Sequence, residues 1–208
     1  ERAFTTIHPG AIYLHLGRSY EVEQLDVREH RALVSSFDGD WYTRPKKETD
    51  IYIERIHQQR EVAGVQLNFG EVSVTEQVIA FQRVSIADNE PIDIVALELP
   101  EQSFVTQALW YVLPEGNFGT LPPDVLLGAL HATEHGQIAV LPLIAMCDRW
   151  DIGGLSTNVH FQTGRSTIFI YDGHPGGVGI TKRGYDEFER LLGDAERLIA
   201  ECPCESGC

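Results

Sequence analysis

The strongest constraint on this chain is an amphipathic run near its end that leads into three cysteines within seven residues, Cys202, Cys204 and Cys208. Tyr185, Phe188, Leu191, Leu192, Ala195, Leu198 and Ile199 recur at three- and four-residue steps, while Asp186, Glu189, Asp194 and Arg197 take the opposite side. That period is helical and leaves one face to bury. Ahead of it, Ile168-Phe169-Ile170-Tyr171 reads as a buried strand, and the stretch from Asp172 to Gly179 as a glycine-rich turn. Thr181 is the expected N-cap, since its hydroxyl can accept from a first-turn amide. A strand, a turn and a helix thus carry the three cysteines to one place.

A Cys-x-Cys pair makes a poor mutual disulfide, because its side chains diverge along an extended segment. Three crowded thiols suit a soft metal: thiolates bind zinc well, and Pro203 and Gly207 allow the chain to wrap round an ion. The plain alternative is a reduced, inert tail. Cys147 either folds back toward the cluster or is a buried thiol, as cysteine often is. Four cysteines, three of them clustered, indicate a reducing compartment and a metal rather than a disulfide framework.

Other stretches carry weaker chemical signals. His131-Ala-Thr-Glu134-His135 fits H-x-x-E-H, whose spacing puts both imidazoles on one helix face with a carboxylate beside them, as in a zinc hydrolase. Its plain reading is a pair of packed or hydrogen-bonded histidines with Glu134 in a salt bridge. The glycine loop from Gly173 to Gly179 lies between a strand and a helix, where amides can hold an anion. It lacks the Lys-Ser/Thr of a P-loop, and Asp172 at its mouth repels anions, so its glycines serve a positive-φ turn and close packing. No G-x-x-x-x-G-K-[ST] occurs in the chain, which excludes it as an ATPase motor. In Cys147-Asp148-Arg149-Trp150-Asp151 an ion-pair cluster around Arg149, with Trp150 as anchor, is expected.

The segments Tyr171 to Ile180, Glu201 to Cys208, His131 to His135 and Cys147 to Gly154 together resemble the C-terminal zinc-binding domain of MrfA/YprA-type superfamily 2 (DEAD/DEAH-box) DNA repair helicases. The resemblance covers residues 100 to 208 and extends loosely over the front of the chain. It implies one structural zinc held by Cys202, Cys204 and Cys208, with a fourth thiolate three residues past the last residue present. It also implies an accessory module without a catalytic site, behind the motor of an ATP-dependent 3′-to-5′ DNA helicase. The motor domains of the same polypeptide and single-stranded DNA are then its partners. The alternative is the zinc hydrolase on His131, Glu134 and His135.

The net charge of −15, from 16 basic against 31 acidic residues, opposes direct nucleic-acid binding by the whole chain, which draws on neutralised phosphates. A local contact remains open where Trp41, with Arg44, Lys46 and Lys47 nearby, stacks on a single-stranded base. Otherwise these residues cap a barrel end and are solvated. No apolar run approaches the ~20 residues of a membrane helix, and the start has no signal segment, so nothing argues for secretion; a monomeric fragment, cytoplasmic and DNA-associated, or nuclear in a eukaryote, is expected. The missing initiator methionine suggests an excised or processed start.

The expected fold is α+β. Residues 1–86 form a β-rich, barrel-like part, with strands at 11–16, 20–27, 31–34 and 51–56, a loop at 37–45, and a long hairpin over 62–81 interrupted by Gly70. Residues 87–208 form a mixed part, beginning with 92–99 and 105–113 as paired strands and a helix from Asp124 that Pro142 ends or kinks. A hairpin over 159–170, turning at Gly164, precedes the long final helix and the cysteine knuckle.

Overall fold

The computed structural model describes residues 3–114, 116 and 121–204. They form two compact units, each discontinuous in sequence: residues 1–49 with 75–103, and 50–74 with 104–208. The fold is mixed and strand-rich, with its long helices in the second half, as the sequence pattern indicates.

In the first unit a short helix α1 (Ala3–Thr6) precedes the antiparallel sheet β1 (Ile12–His15), β2 (Arg18–Asp26) and β3 (Arg31–Ser36). His15 and Arg18 close the β1–β2 hairpin, and the two residues between them, Leu16 and Gly17, have φ of 48° and 76°. Two positive-φ residues form the tight turn that matches strand twist. The unit also takes the start of β4 (Trp41–Val62), the end of β5 (Val65–Ser85) and β6 (Pro91–Ala96). β6 pairs antiparallel with β5, so the polar turn near residue 87 is a hairpin loop inside this unit. The expected pairing of 92–99 with 105–113 is not formed. Phe4, His8, Ala11, Val22, Phe81 and Val84 are its buried centre. Gly10 passes so close to Phe81 that an added Cβ would lie 2.7 Å from Cζ.

The second unit is built on strands in the order β4-β5-β7-β9-β8, with β7 (Gln102–Val112), β8 (Ile152–Thr157) and β9 (Thr167–Asp172). β9 is antiparallel to both its neighbours, pairing Phe169 with Trp110 on β7 and with Leu155 on β8. The outermost strands, β4 and β8, are joined by side chains of the β8–β9 connection. The Gln162 carboxamide accepts from the Ile53 N–H at 2.6 Å and donates to the Ile53 carbonyl at 3.0 Å, and His160 Nε2 lies 2.9 Å from the Ile51 carbonyl oxygen. An exposed strand edge is a liability. Here a side-chain amide takes the place of the missing strand, and the sheet becomes nearly a closed barrel.

Every residue of β9 is buried because both of its faces are covered. One face packs with Leu67, Leu109, Leu141, Phe188 and Leu191, and the other with Ile51, Val72, Val74 and Trp110. The helical cover is α2 (Pro123–Ala145), α3 (Ile180–Asp186) and α4 (Phe188–Ala200). Pro123 opens α2, where a missing amide costs least. Pro142 lies inside α2 without ending it, and the helix closes at left-handed Met146, whose N–H donates to the Pro142 carbonyl at 2.9 Å.

Several boundaries differ from the sequence expectation for local reasons. β4 begins at Trp41, so Arg44-Pro45-Lys46 is strand; Pro45 is tolerated because β4 is outermost and lacks a second partner there. The β4–β5 hairpin turns at Ala63 and Gly64, with φ of 51° and 78°. Gly70 is no interruption: β5 runs through it, and an added Cβ would fall 1.9 Å from the Arg55 carbonyl oxygen. The expected hairpin over 159–170 is instead β8 with β9, and residues 158–166 are the connection. The final helix is broken at Glu187 into α3 and α4.

His8 is fully buried, 4.8 Å from the Phe81 ring, and its Nε2 has no partner, so burial pushes its pKa below the usual 6.5. The unfolded chain therefore binds the proton first. The stability contribution is complete above about pH 6.5 and falls as the pH drops below it. Melting temperatures between about pH 5 and 8 are expected to show this loss on the acid side, and His8→Phe to flatten it.

Candidate metal centre

The last helices are placed by one carboxylate. Asp172, the final residue of β9, is fully buried. Its Oδ2 accepts from the N–H groups of Val178 at 2.6 Å, Gly179 at 2.8 Å and Ile180 at 3.3 Å, and its Oδ1 from that of Thr181 at 2.8 Å. These are the amides that a helix start leaves unpaired. The amide nest therefore already holds an anion, and that anion belongs to the protein. Asp172 does not guard the loop against a phosphate; it fills the place. Thr181 is not the N-cap: it lies within α3, its N–H goes to Asp172, and its buried hydroxyl has no partner.

The glycines make this wrap possible. Gly176, Gly177 and Gly179 have φ of 81°, 74° and 90°, and a Cβ on Gly177 would lie 2.7 Å from Gln107 Cγ. The Thr106 hydroxyl binds the carbonyl oxygens of Asp172 and His174, each at 2.8 Å. On the other side Gly173 donates to the Asp151 carbonyl at 2.7 Å, and His174 Nε2 meets Asp151 Oδ1 at 3.0 Å. Asp148 and Asp151 cap the short 3-10 turn Arg149–Asp151 reciprocally. Trp150 is 78% exposed, so it is no anchor.

α4 then carries the cysteines. Phe188, Leu191 and Ala195 are buried, whereas Leu198 and Ile199 are partly exposed. Two close approaches set the direction of this arm against α2. A Cβ on Gly184 would lie 3.1 Å from Leu141, and one on Gly136 would lie 3.2 Å from Ile199 and 3.6 Å from Ala195. As the arm advances from 184 to 199, its neighbours on α2 retreat from 141 to 136, so the two run antiparallel. Cys202, half-buried, and Cys204, exposed, follow Ile199 at once, with the Cys202 N–H 3.3 Å from the Ile199 carbonyl. Cys208 lies outside the described residues.

This register separates Cys147 from Cys202. Cys147 follows the C-terminal end of α2, roughly 16 Å beyond Gly136 at about 1.5 Å per residue, while Cys202 leaves in the opposite sense. Thiolates sharing a zinc stand only about 4 Å apart, given Zn–S bonds near 2.3 Å. Cys147 instead packs partly buried against the helical core. Burial, then the charges of Asp151 and Asp172, push its thiol above the ordinary range.

On α2 the structure does bring His131, Glu134 and His135 together: one donor atom of each lies within 4.8 Å of the others. The imidazoles are exposed, with ring centres 4.3 Å apart. Glu134 points inward and is 4% exposed. Its Oε2 accepts from the Ser156 hydroxyl at 2.6 Å and lies 3.3 Å from His131 Nδ1. Gly154 leaves the space, since a Cβ there would meet Glu134 Oε1 at 2.6 Å. Ser156 and Gly154 carried no signal in the sequence, because they matter only once β8 lies beside α2.

The basic segment lies on the part of β4 in the first unit. Trp41 packs edge-on to Phe37 at 4.7 Å and lies under Arg83 at 5.3 Å. Arg44 binds the Tyr42 hydroxyl, and Lys47 pairs with Glu76 at 2.6 Å. Lys46 is exposed.

Residues 133–208 match the model of the MrfA Zn-binding domain. The chain is 32% identical over 209 residues to the uncharacterized ATP-dependent helicase YprA of Bacillus subtilis, covering 99% of this chain and 27% of that protein. It is 26% identical over 221 residues to the ATP-dependent helicase HRQ1 of Saccharomyces cerevisiae, covering 100% of this chain and 20% of the relative. The crystal structure of the DUF1998 helicase MrfA bound to DNA superposes with a TM-score of 0.68 at 30% identity, over 99% of this chain and 27% of that one. The chain thus spans about a quarter of the length of the proteins it matches.

Replacing Asp172 with Ala strands four backbone amides, so a loss of about 3 kcal/mol or more is expected in denaturant titration. In metal-free protein, peptide mapping after brief iodoacetamide treatment should find Cys204 labelled ahead of Cys147.

Proposed function

Residues 133–208 carry the MrfA Zn-binding domain on a chain homologous throughout to part of the YprA and HRQ1 helicases, and on that premise we propose that this is the accessory zinc module of an ATP-dependent DNA helicase. The supporting observation is the antiparallel arm that carries Cys202 and Cys204 off the end of α4, while Cys147 stays at the far end of α2. Cys202, Cys204 and Cys208 would hold one zinc ion, and a thiolate donor set suits that metal. Bound there, zinc supplies a structural cross-link and no reaction.

The chain's own residues do the rest. Asp172 anchors the start of the arm, Phe188, Leu191 and Ala195 seat it on α2, and the cysteines tie down its end. In the parent protein this module would pack on the motor domains and help shape the path of single-stranded DNA. The charge of −15 favours that role through protein contacts, with the motor supplying the phosphate-binding cations. A hydrolase on His131, Glu134 and His135 is not favoured: the relatives aligned over this segment are helicases, and Glu134 faces inward.

In the parent protein, elemental analysis should show one zinc per chain lost in Cys202→Ser and in Cys204→Ser relative to the wild type. Cys147→Ser is expected to keep its zinc. The first two variants should also melt lower, since a loss of about 2 kcal/mol corresponds to about 4–8 °C at this size. A zinc content in Cys204→Ser equal to that of the wild type would overturn the assignment.

A further inference from the structure

We propose that His131, Glu134 and His135 form a second metal site on α2, which takes a borderline divalent transition ion such as Zn²⁺ or Co²⁺ beside the Ser156 hydroxyl of β8. The starting point is a charge without a counter-charge. Glu134 is 4% exposed, and among the described residues its sole ion-pair partner is His131, with no lysine or arginine. A buried carboxylate needs a cation or a dense set of donors. Ser156 supplies one hydroxyl, and the remaining approach is through the two imidazoles.

The geometry is already close to that of a site. The three donor atoms lie within 4.8 Å of one another, whereas ligands at about 2.0–2.2 Å from a tetrahedral zinc stand about 3.5 Å apart. A rotation of the exposed imidazoles closes that gap without moving backbone. Two imidazole nitrogens with one carboxylate oxygen favour Zn²⁺ and Co²⁺ over Mg²⁺ or Ca²⁺, which prefer all-oxygen shells. The fourth position faces solvent and would take a water.

The surroundings support holding an ion in place. Ser156 on β8 fixes the carboxylate at 2.6 Å, and Gly154 on the same strand leaves room for Oε1. Behind them lie the fully buried Gln137 and the buried Tyr111 phenol, whose pKa is raised by burial, lowered by Gln137 beside it and raised by the Glu134 charge. A polar column therefore runs inward from the histidines. Its outer end is where an ion would compensate the carboxylate. Unlike the cysteine site, this one uses no thiolate.

Cobalt separates the two sites, because only thiolate ligands give the intense near-ultraviolet charge-transfer band. Chelator-stripped parent protein is titrated with Co²⁺ in the wild type, His131→Ala/His135→Ala and Cys202→Ser/Cys204→Ser. The expected result is a histidine-dependent ion, retained with weak visible bands in the cysteine variant and lost in the histidine variant while any thiolate band persists. Ser156→Ala, which removes only the orienting hydroxyl, should weaken that ion about 10–100-fold. If the double histidine variant does not fold, His135→Asn, at an exposed position, reports the same loss. Equal cobalt stoichiometry in wild-type and histidine variants would overturn the second site. An absent thiolate band with the histidine-dependent ion intact would instead overturn the cysteine reading and leave this one standing.

Discussion

The second unit depends on the carboxylate of Asp172 more than on any other polar group. A strand ends, the chain must reverse, and a helix must begin in the protein interior with its first amides unpaired. One buried side chain resolves all of this by accepting four N–H groups. Without it, the amides of Ile180 and Thr181 would be buried unsatisfied. The same contact forces the backbone into left-handed conformations, and for that reason the loop is rich in glycine. It also excludes the most tempting chemical reading of a glycine loop at a helix start, because an anion already sits there.

From that anchor, packing converts a local turn into a long-range placement. Gly184 and Gly136 let the α3–α4 arm approach α2 closely, and their partners fix its antiparallel sense. Direction decides the metal chemistry. An arm running the other way would bring the final cysteines toward Cys147; as built, it takes them toward the end of α2 that bears His131 and His135. The β-sheet beneath is held by a comparable economy: Gln162 completes the Ile53 backbone pair that a strand would otherwise provide.

The sequence made the periodic and compositional features legible. The amphipathic face of α4, the strand at 168–171, the early strands and the helix after Pro123 all appear where their patterns place them. The resemblance drawn from the glycine loop and the cysteine tail agrees with the domain match over 133–208. What stayed hidden depends on neighbours distant in sequence. Asp172 looked like a repellent charge because the four amides it binds curl back only in three dimensions. Thr181 has the chemistry of a cap, but a better acceptor reached the same amides first. Pro45 and Gly70 look like breaks; one sits on an outermost strand, and the other is where β5 passes the backbone of β4 too closely for any side chain. The partners chosen by β6 could not be read from its own residues, since alternation gives a strand its faces and not its neighbour.

Glu134 shows the same limit from the opposite direction. Its motif was visible, but its meaning turns on where the carboxylate points. A general base in a hydrolase must reach a water at the open side of its metal. Glu134 is instead drawn inward, bound by Ser156 and overlying Gly154, with only imidazole between it and solvent. Such a group is well placed to be compensated and poorly placed to do proton transfer on an external substrate. In the proposed site the two histidines hold an ion over that carboxylate, which is a structural duty. That duty fits a module in which Asp172 and Gln162 likewise hold one element against another.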